Sequence, residues 1–159
     1  MPAKIRLQRE DFDAAAEVAA LARGRSDIGA VVTFTGICRG EEEGAPIAAL
    51  VLEHYPEMAE DEIKRHVEEA KKRWPLSSVR IAHRVGRIAP GETIVFVAAA
   101  SAHRRAAFAA AEFLMDYLKT RAPFWKKVER ADGTHWVAAR KTDDAAAARW
   151  KKPGREAAE

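Results

Sequence analysis

Hydrophobic and polar positions along the chain alternate with two periods, and their succession predicts the elements. Lys4–Gln8 alternates as a short edge strand, and Asp11 is placed to cap an alanine-rich helix that runs to about Ala22 and stops at Gly24. Gly29–Ile37, GAVVTFTGI, is rich in β-branched residues and reads as a central strand, followed by a polar, glycine-flanked and mobile loop over Cys38–Pro46. Ile47–Tyr55 is the next strand. Pro56 suits the first position of a helix, and Glu57–Trp74 carries a helical stripe of Met58, Ile63, Val67 and Ala70 that Pro75 closes. Ser78–Val85 and Glu92–Ala100 are strands joined across Ile88-Ala89-Pro90-Gly91, and a second helix covers Ala102–Arg121. Phe124–Ala131 and Thr134–Ala138 flank Asp132-Gly133, a hairpin signal; a last short helix covers Asp143–Trp150, and 151–159 reads as a frayed tail. This order predicts a mixed α+β fold with substantial antiparallel sheet, built as one domain over residues 1–150.

Composition narrows the picture modestly. A chain of 159 residues that is 48% hydrophobic buries one sizeable core. The formal charge of +3 is too small to argue for nucleic acid by itself. A single cysteine, Cys38, excludes an internal disulfide and fits a reducing compartment. No apolar run approaches the roughly 20 residues of a membrane span, and the N-terminus lacks a signal-peptide core, so a soluble cytoplasmic protein is expected. The histidines at 54, 66, 83, 103 and 135 have no metal-type spacing, and neither a metal nor a cofactor is expected.

Local charge is more informative. Between Lys119 and Arg130 stand five basic residues against Glu129 alone, and Ala122-Pro123 forces a helix-to-strand turn among them. Lys119 falls in the last helical turn, where Asp116 is a possible surface partner. Strand alternation puts Lys126 on the face of Phe124 and Val128, and Lys127 on that of Trp125 and Glu129. A lysine on an apolar face is either a snorkelling stem or a group tuned for acid–base or covalent work. Ser101 is the expected N-cap of the second helix, so His103 and Arg104 occupy its first turn, where they either swing into water or share a bound anion with the helix N–H groups. Arg39, at a glycine-rich turn, is a solvated loop arginine or a fork for phosphate or carboxylate. Cys38 is assigned no chemistry, and Glu41–Glu43 reads as a solvated run. His103 and Lys119 are 16 residues apart, roughly 24 Å along a helix. They share one small ligand only across a two-fold dimer, each chain completing the other's site.

GAVVTFTG at 29–36, LEHYPEM at 52–58, IVFVAAASAHR at 94–104 and above all MDYLKTRAPFWK at 115–126 resemble the large, catalytic subunit of molybdopterin synthase, the MoaE family. The resemblance runs from about Gly29 to Trp150. It implies an α/β hammerhead fold with an added small antiparallel subdomain. It also implies a central homodimer that carries one small ubiquitin-like sulfur-carrier subunit at each end, a heterotetramer. The implied reaction moves two sulfurs from the carrier's thiocarboxylated Gly-Gly C-terminus to cyclic pyranopterin monophosphate, making the molybdopterin dithiolene. By motif match Lys119 and Lys126 carry catalysis, Ile37, Cys38, Arg39, His103, Arg104, Lys127 and Val128 line the substrate site, and Arg140 is a weaker candidate for it. Ile37-Cys38 departs from the basic or small apolar pair usual in the family. The chain ends REAAE, so the carrier's Gly-Gly tail belongs to another polypeptide. The rival readings are a non-catalytic dimeric module that binds phosphate or nucleic acid through the same lysines, its binding weakening steeply with salt, and an idle scaffold that only docks the carrier.

Overall fold

The structure, a computed structural model, describes residues 3–138 and 141–151. Two four-stranded sheets share the chain. The first joins β1 (Ala3–Gln8), β6 (Leu76–Arg84), β8 (Thr93–Ser101) and β2 (Ala30–Ile37), in that order, with β1 parallel to β6 and the other pairs antiparallel. The second is antiparallel throughout, in the order β10 (Gly133–Val137), β9 (Phe124–Arg130), β5 (Ala49–His54), β7 (Gly86–Ile88). Helices α1 (Ala14–Ala22), α2 (Pro56–Arg73), α3 (Arg104–Thr120) and α4 (Lys141–Ala148) complete the mixed α+β architecture expected. The second sheet is the additional antiparallel subdomain. No helix among the described residues is long and apolar enough to cross a membrane.

Strand alternation builds the core on both faces of the first sheet. Val79 and Ile81 of β6, with Val95, Val97 and Ala99 of β8, pack against Ile63, Val67 and Ala70 of α2 and Ala106, Ala110, Phe113 and Leu114 of α3. The intervening residues Ala82, Phe96, Ala98 and Ala100 turn the other way, toward Leu21 of α1. Burial on both sides explains why β8 reads IVFVAAA without a polar break. A separate small cluster of Cys38, Ile47, Leu50, Leu52, Ile88 and Val128 holds the second sheet.

Several expectations shift. β2 is an edge strand, half-open to solvent, with Phe34 40% exposed; its β-branched content marks a strand but cannot say how many neighbours it has. The cap of α1 is Asp13, whose Oδ1 accepts the Ala16 N–H at 3.1 Å, while Asp11 binds the Phe12 N–H just before it. Ser101 is not the N-cap of α3. Its hydroxyl is buried, donates to the Pro75 carbonyl at 2.7 Å and accepts from the His103 N–H, and His103 itself holds the cap position without a side-chain cap bond. Met58 is 54% exposed rather than part of the buried stripe of α2. Part of the loop over 38–46 is a hairpin of β3 (Glu41–Glu42) and β4 (Ala45–Pro46), turned by Glu43 and Gly44 at φ 52° and 77°. Of the stretch 151–159, expected to fray, Lys151 closes the short helical turn Arg149–Lys151, and 152–159 lie outside the described residues.

Candidate active site

The pivotal turn after α3 is built by backbone bonds. The Arg121 and Ala122 N–H groups both reach the Tyr117 carbonyl, the Thr120 hydroxyl binds the Asp116 carbonyl at 2.7 Å, and the Phe124 N–H returns to Ala122 O at 2.7 Å. Pro123, which has no N–H, falls where the helix can no longer continue. The chain thus leaves one sheet's helix and enters the other sheet's β9, and a cavity of about 720 Å³ opens at that seam. Lys119 reaches it from α3 and Lys126 from β9; Ile37, Arg39 and Glu42 line it from the β2–β3 side, and His83 from β6. Phe124, Leu50, Leu52, Met115 and Leu118 give it apolar walls.

The charges in this space are organised around Glu42. Its side chain is 6% exposed; one carboxylate oxygen accepts from Lys126 Nζ at 3.1 Å and the other lies 3.5 Å from the Arg39 guanidinium. Its backbone carbonyl accepts from Arg130 at 3.0 Å, which ties the hairpin to β9. Glu42 is therefore a buried counter-charge and not part of a solvated run. A carboxylate held between two cations shows that this part of the cavity stabilises negative charge. The available signal was Gly44, a residue suited to the positive φ of a tight hairpin, which here turns at Glu43-Gly44 and draws Glu42 inward.

Lys126 and Lys127 separate as alternation predicts. Lys127 binds Glu53 at 2.7 Å and lies over the Trp136 ring at 4.2 Å, outside the cavity. Val128 is fully buried in the second sheet's core and does not face the cavity either. Cys38 is buried, its thiol near the Ile88 carbonyl at 3.8 Å and its backbone bonded to Glu92 and Gly91. Burial pushes its thiol pKa up, which makes it a poor nucleophile. Ile37, beside it, is 56% exposed and does line the cavity.

Asp116 serves a partner other than Lys119: its carboxylate accepts from Arg149 at 2.9 Å and from the Trp150 indole at 2.6 Å, fastening the C-terminal turn Arg149–Lys151 to α3. His103 and Arg104 are exposed at the opposite end of α3 and do not line this cavity. Arg140 lies outside the described residues.

His83 escaped sequence reading. It is 6% exposed, it stacks on Phe124 with ring centroids 4.3 Å apart, and its Nδ1 is 2.7 Å from the Arg84 carbonyl. Burial, reinforced by the positive charge of Lys119, pushes its pKa from 6.5 down to about 4. The available signal was its phase: position 83 continues the Val79, Ile81 side of β6, so a titratable ring sits on an apolar face.

The sequence matches the family model for MoaE protein over residues 7–121. It is 62% identical over 149 residues to the molybdopterin synthase catalytic subunit of Mesorhizobium japonicum, with 92% of each chain covered. Among solved structures it is similar to the molybdopterin biosynthesis MoaE protein of Burkholderia ambifaria, with a TM-score of 0.80 at 52% identity over 94% of this chain and 99% of that one. The same fold recurs, at a TM-score of 0.67 and 22% identity over 87% and 91% of the two chains, in a complex of subunit 1 and 2 of molybdopterin-converting factor from Helicobacter pylori.

Proposed function

This chain belongs to the MoaE family, whose relatives are catalytic subunits of molybdopterin synthase, and on that premise we propose that the cavity between Lys119 and Lys126 is where sulfur reaches cyclic pyranopterin monophosphate. The chain is a sulfurtransferase of molybdenum cofactor biosynthesis. The observation that carries the site assignment is the convergence of two lysines, from a helix of one sheet and a strand of the other, on one cavity that also has an arginine at its side.

The chemistry asks for these groups. A phosphate ester needs cations, and Arg39, Lys126 and Lys119 supply them. The small carrier subunit presents an extended thiocarboxylate tail, and the cavity's apolar walls accept such a tail. In each transfer the carrier's thiocarboxylate sulfur forms a carbon–sulfur bond to the substrate as a substrate oxygen leaves as water, and a water then cleaves the carrier's acyl carbon–sulfur bond, its oxygen making the carrier terminus an ordinary carboxylate. Proton movement accompanies both events, and Lys119 is the acid/base or covalent group with Lys126 as its electrostatic partner. The Helicobacter pylori complex of two subunits supports pairing with a small carrier. His103 and Arg104, about one helix length of roughly 24 Å from Lys119, complete the site of a second copy, so that a homodimer forms the centre of a heterotetramer.

The test is to incubate the purified chain with thiocarboxylated carrier and pyranopterin precursor and to measure molybdopterin. Product is expected with the wild-type chain, and a loss of about 100-fold or more with Lys119→Ala. An inactive wild-type chain, under conditions where a related synthase turns over, overturns the reading.

A further inference from the structure

His83 is an unassigned member of the cavity. Its Nδ1 approaches a backbone carbonyl, the Arg84 oxygen at 2.7 Å, and a carbonyl can only accept; Nδ1 therefore carries the proton. The stack on Phe124, with planes inclined by 17°, fixes the ring's second degree of freedom. What remains is Nε2, a lone pair on a ring that lines the cavity and can accept a hydrogen bond from a donor that enters it.

The surroundings point to which donor. From α3 comes Lys119, which lines the same cavity and whose charge acts on His83; from β5 comes His54. β1 and β8 place uncharged Leu7 and Val95 in register with His83, and β9 contributes Phe124. Lys126, Glu42 and Asp143 line the same cavity. We infer that His83 is a positioning residue for Lys119, its neutral Nε2 offering an acceptor to the Lys119 ammonium inside the shared cavity and aiming that group at the reacting atoms. It orients and does not relay, since a relay would require Nδ1 to hand its proton to an amide carbonyl that cannot take it. The ring also remains uncharged beside the lysine at neutral pH, as burial demands. The inference rests on Lys119 being the catalytic lysine.

Three variants separate the ring's functions. His83→Gln restores a polar group near the Nε2 position, His83→Asn keeps only the bond to Arg84 O, and His83→Phe keeps only the stack. The first reading is taken on this chain alone, as the pH at which Lys119 becomes half-acylated by an amine-selective reagent, followed by mass spectrometry. An acceptor favours the ammonium, so His83→Asn and His83→Phe are expected to lower that pH by about one unit, and His83→Gln to leave it near the wild-type value. The second reading is turnover, where kcat is expected to fall about tenfold or more for Asn and Phe, with KM within about twofold and partial recovery for Gln. If Phe fails to fold, the Asn and Gln pair still decides. Wild-type Lys119 titration in His83→Asn overturns the inference, as does wild-type kcat in that variant. A fully active Lys119→Ala chain overturns the functional reading, and this is seen independently of the acylation result.

Discussion

Lys126 and Lys127 are neighbours in sequence whose side chains leave β9 on opposite faces, and substitution should separate them. Lys126→Ala removes a cavity cation held by Glu42 and is expected to cut turnover by about 100-fold. Lys127→Ala removes a surface pair with Glu53 and a contact with Trp136, and is expected to cost less than about threefold in the same molybdopterin assay. Equal losses would place Lys127 in the site after all. Glu42→Gln keeps the shape of the contact but removes the competing negative charge, so KM for the anionic substrate should fall several-fold. His83 gives a test in stability. Its folded pKa of about 4 lies below the unfolded 6.5, so its contribution is intact above about pH 6.5 and is lost as pH falls toward 4. Urea unfolding of wild type and His83→Phe should converge, or cross, by about 3 kcal/mol between pH 7 and pH 4. At this scale sequence resolved what periodicity controls, the split of Lys126 from Lys127. It missed Glu42 and His83, whose roles depend on burial imposed by other parts of the chain.

At the scale of elements, close approaches decide what can be changed. A Cβ on Gly29 would stand 2.1 Å from the Ala102 carbonyl oxygen, a backbone atom that cannot move aside. Gly29 also donates to Ser101 O at 3.0 Å, so the start of β2 is locked to the segment that launches α3. Gly29→Ala is expected to cost about 2–3 kcal/mol, measured as a lower urea midpoint at unchanged m-value. The strands, helices and hairpin signals were largely legible, because alternation and turn residues are local. The neighbours of each strand were not: β2 has the composition of a central strand and is an edge, and the loop-like stretch 38–46 contains the hairpin of Glu41–Glu42 with Ala45–Pro46. Pairing partners are chosen over long sequence separations, and local composition carries little of that information.

For the whole molecule, α3 sets the distance that one subunit can span. Lys119 in its last turn and His103 at its cap stand at opposite ends of one helix, and under the proposed function each end is half of a site. Mixing a His103→Ala chain with a Lys119→Ala chain in equal amounts should recover roughly a quarter of wild-type turnover, because half the dimers are mixed and each has one intact site. No recovery, with mixed dimers demonstrated by native mass spectrometry, would confine the site to one chain. The seam on which the cavity sits has a further consequence. Lys119 hangs from the layer cored by α2, α3, β6 and β8, and Lys126 from the layer cored by Leu50, Leu52 and Val128. An anion gripped by both lysines is a rivet through two plates. Substrate should therefore slow amide exchange in β5 and β9 and in the C-terminal half of α3 together, as one cooperative unit, though these segments belong to separately packed layers.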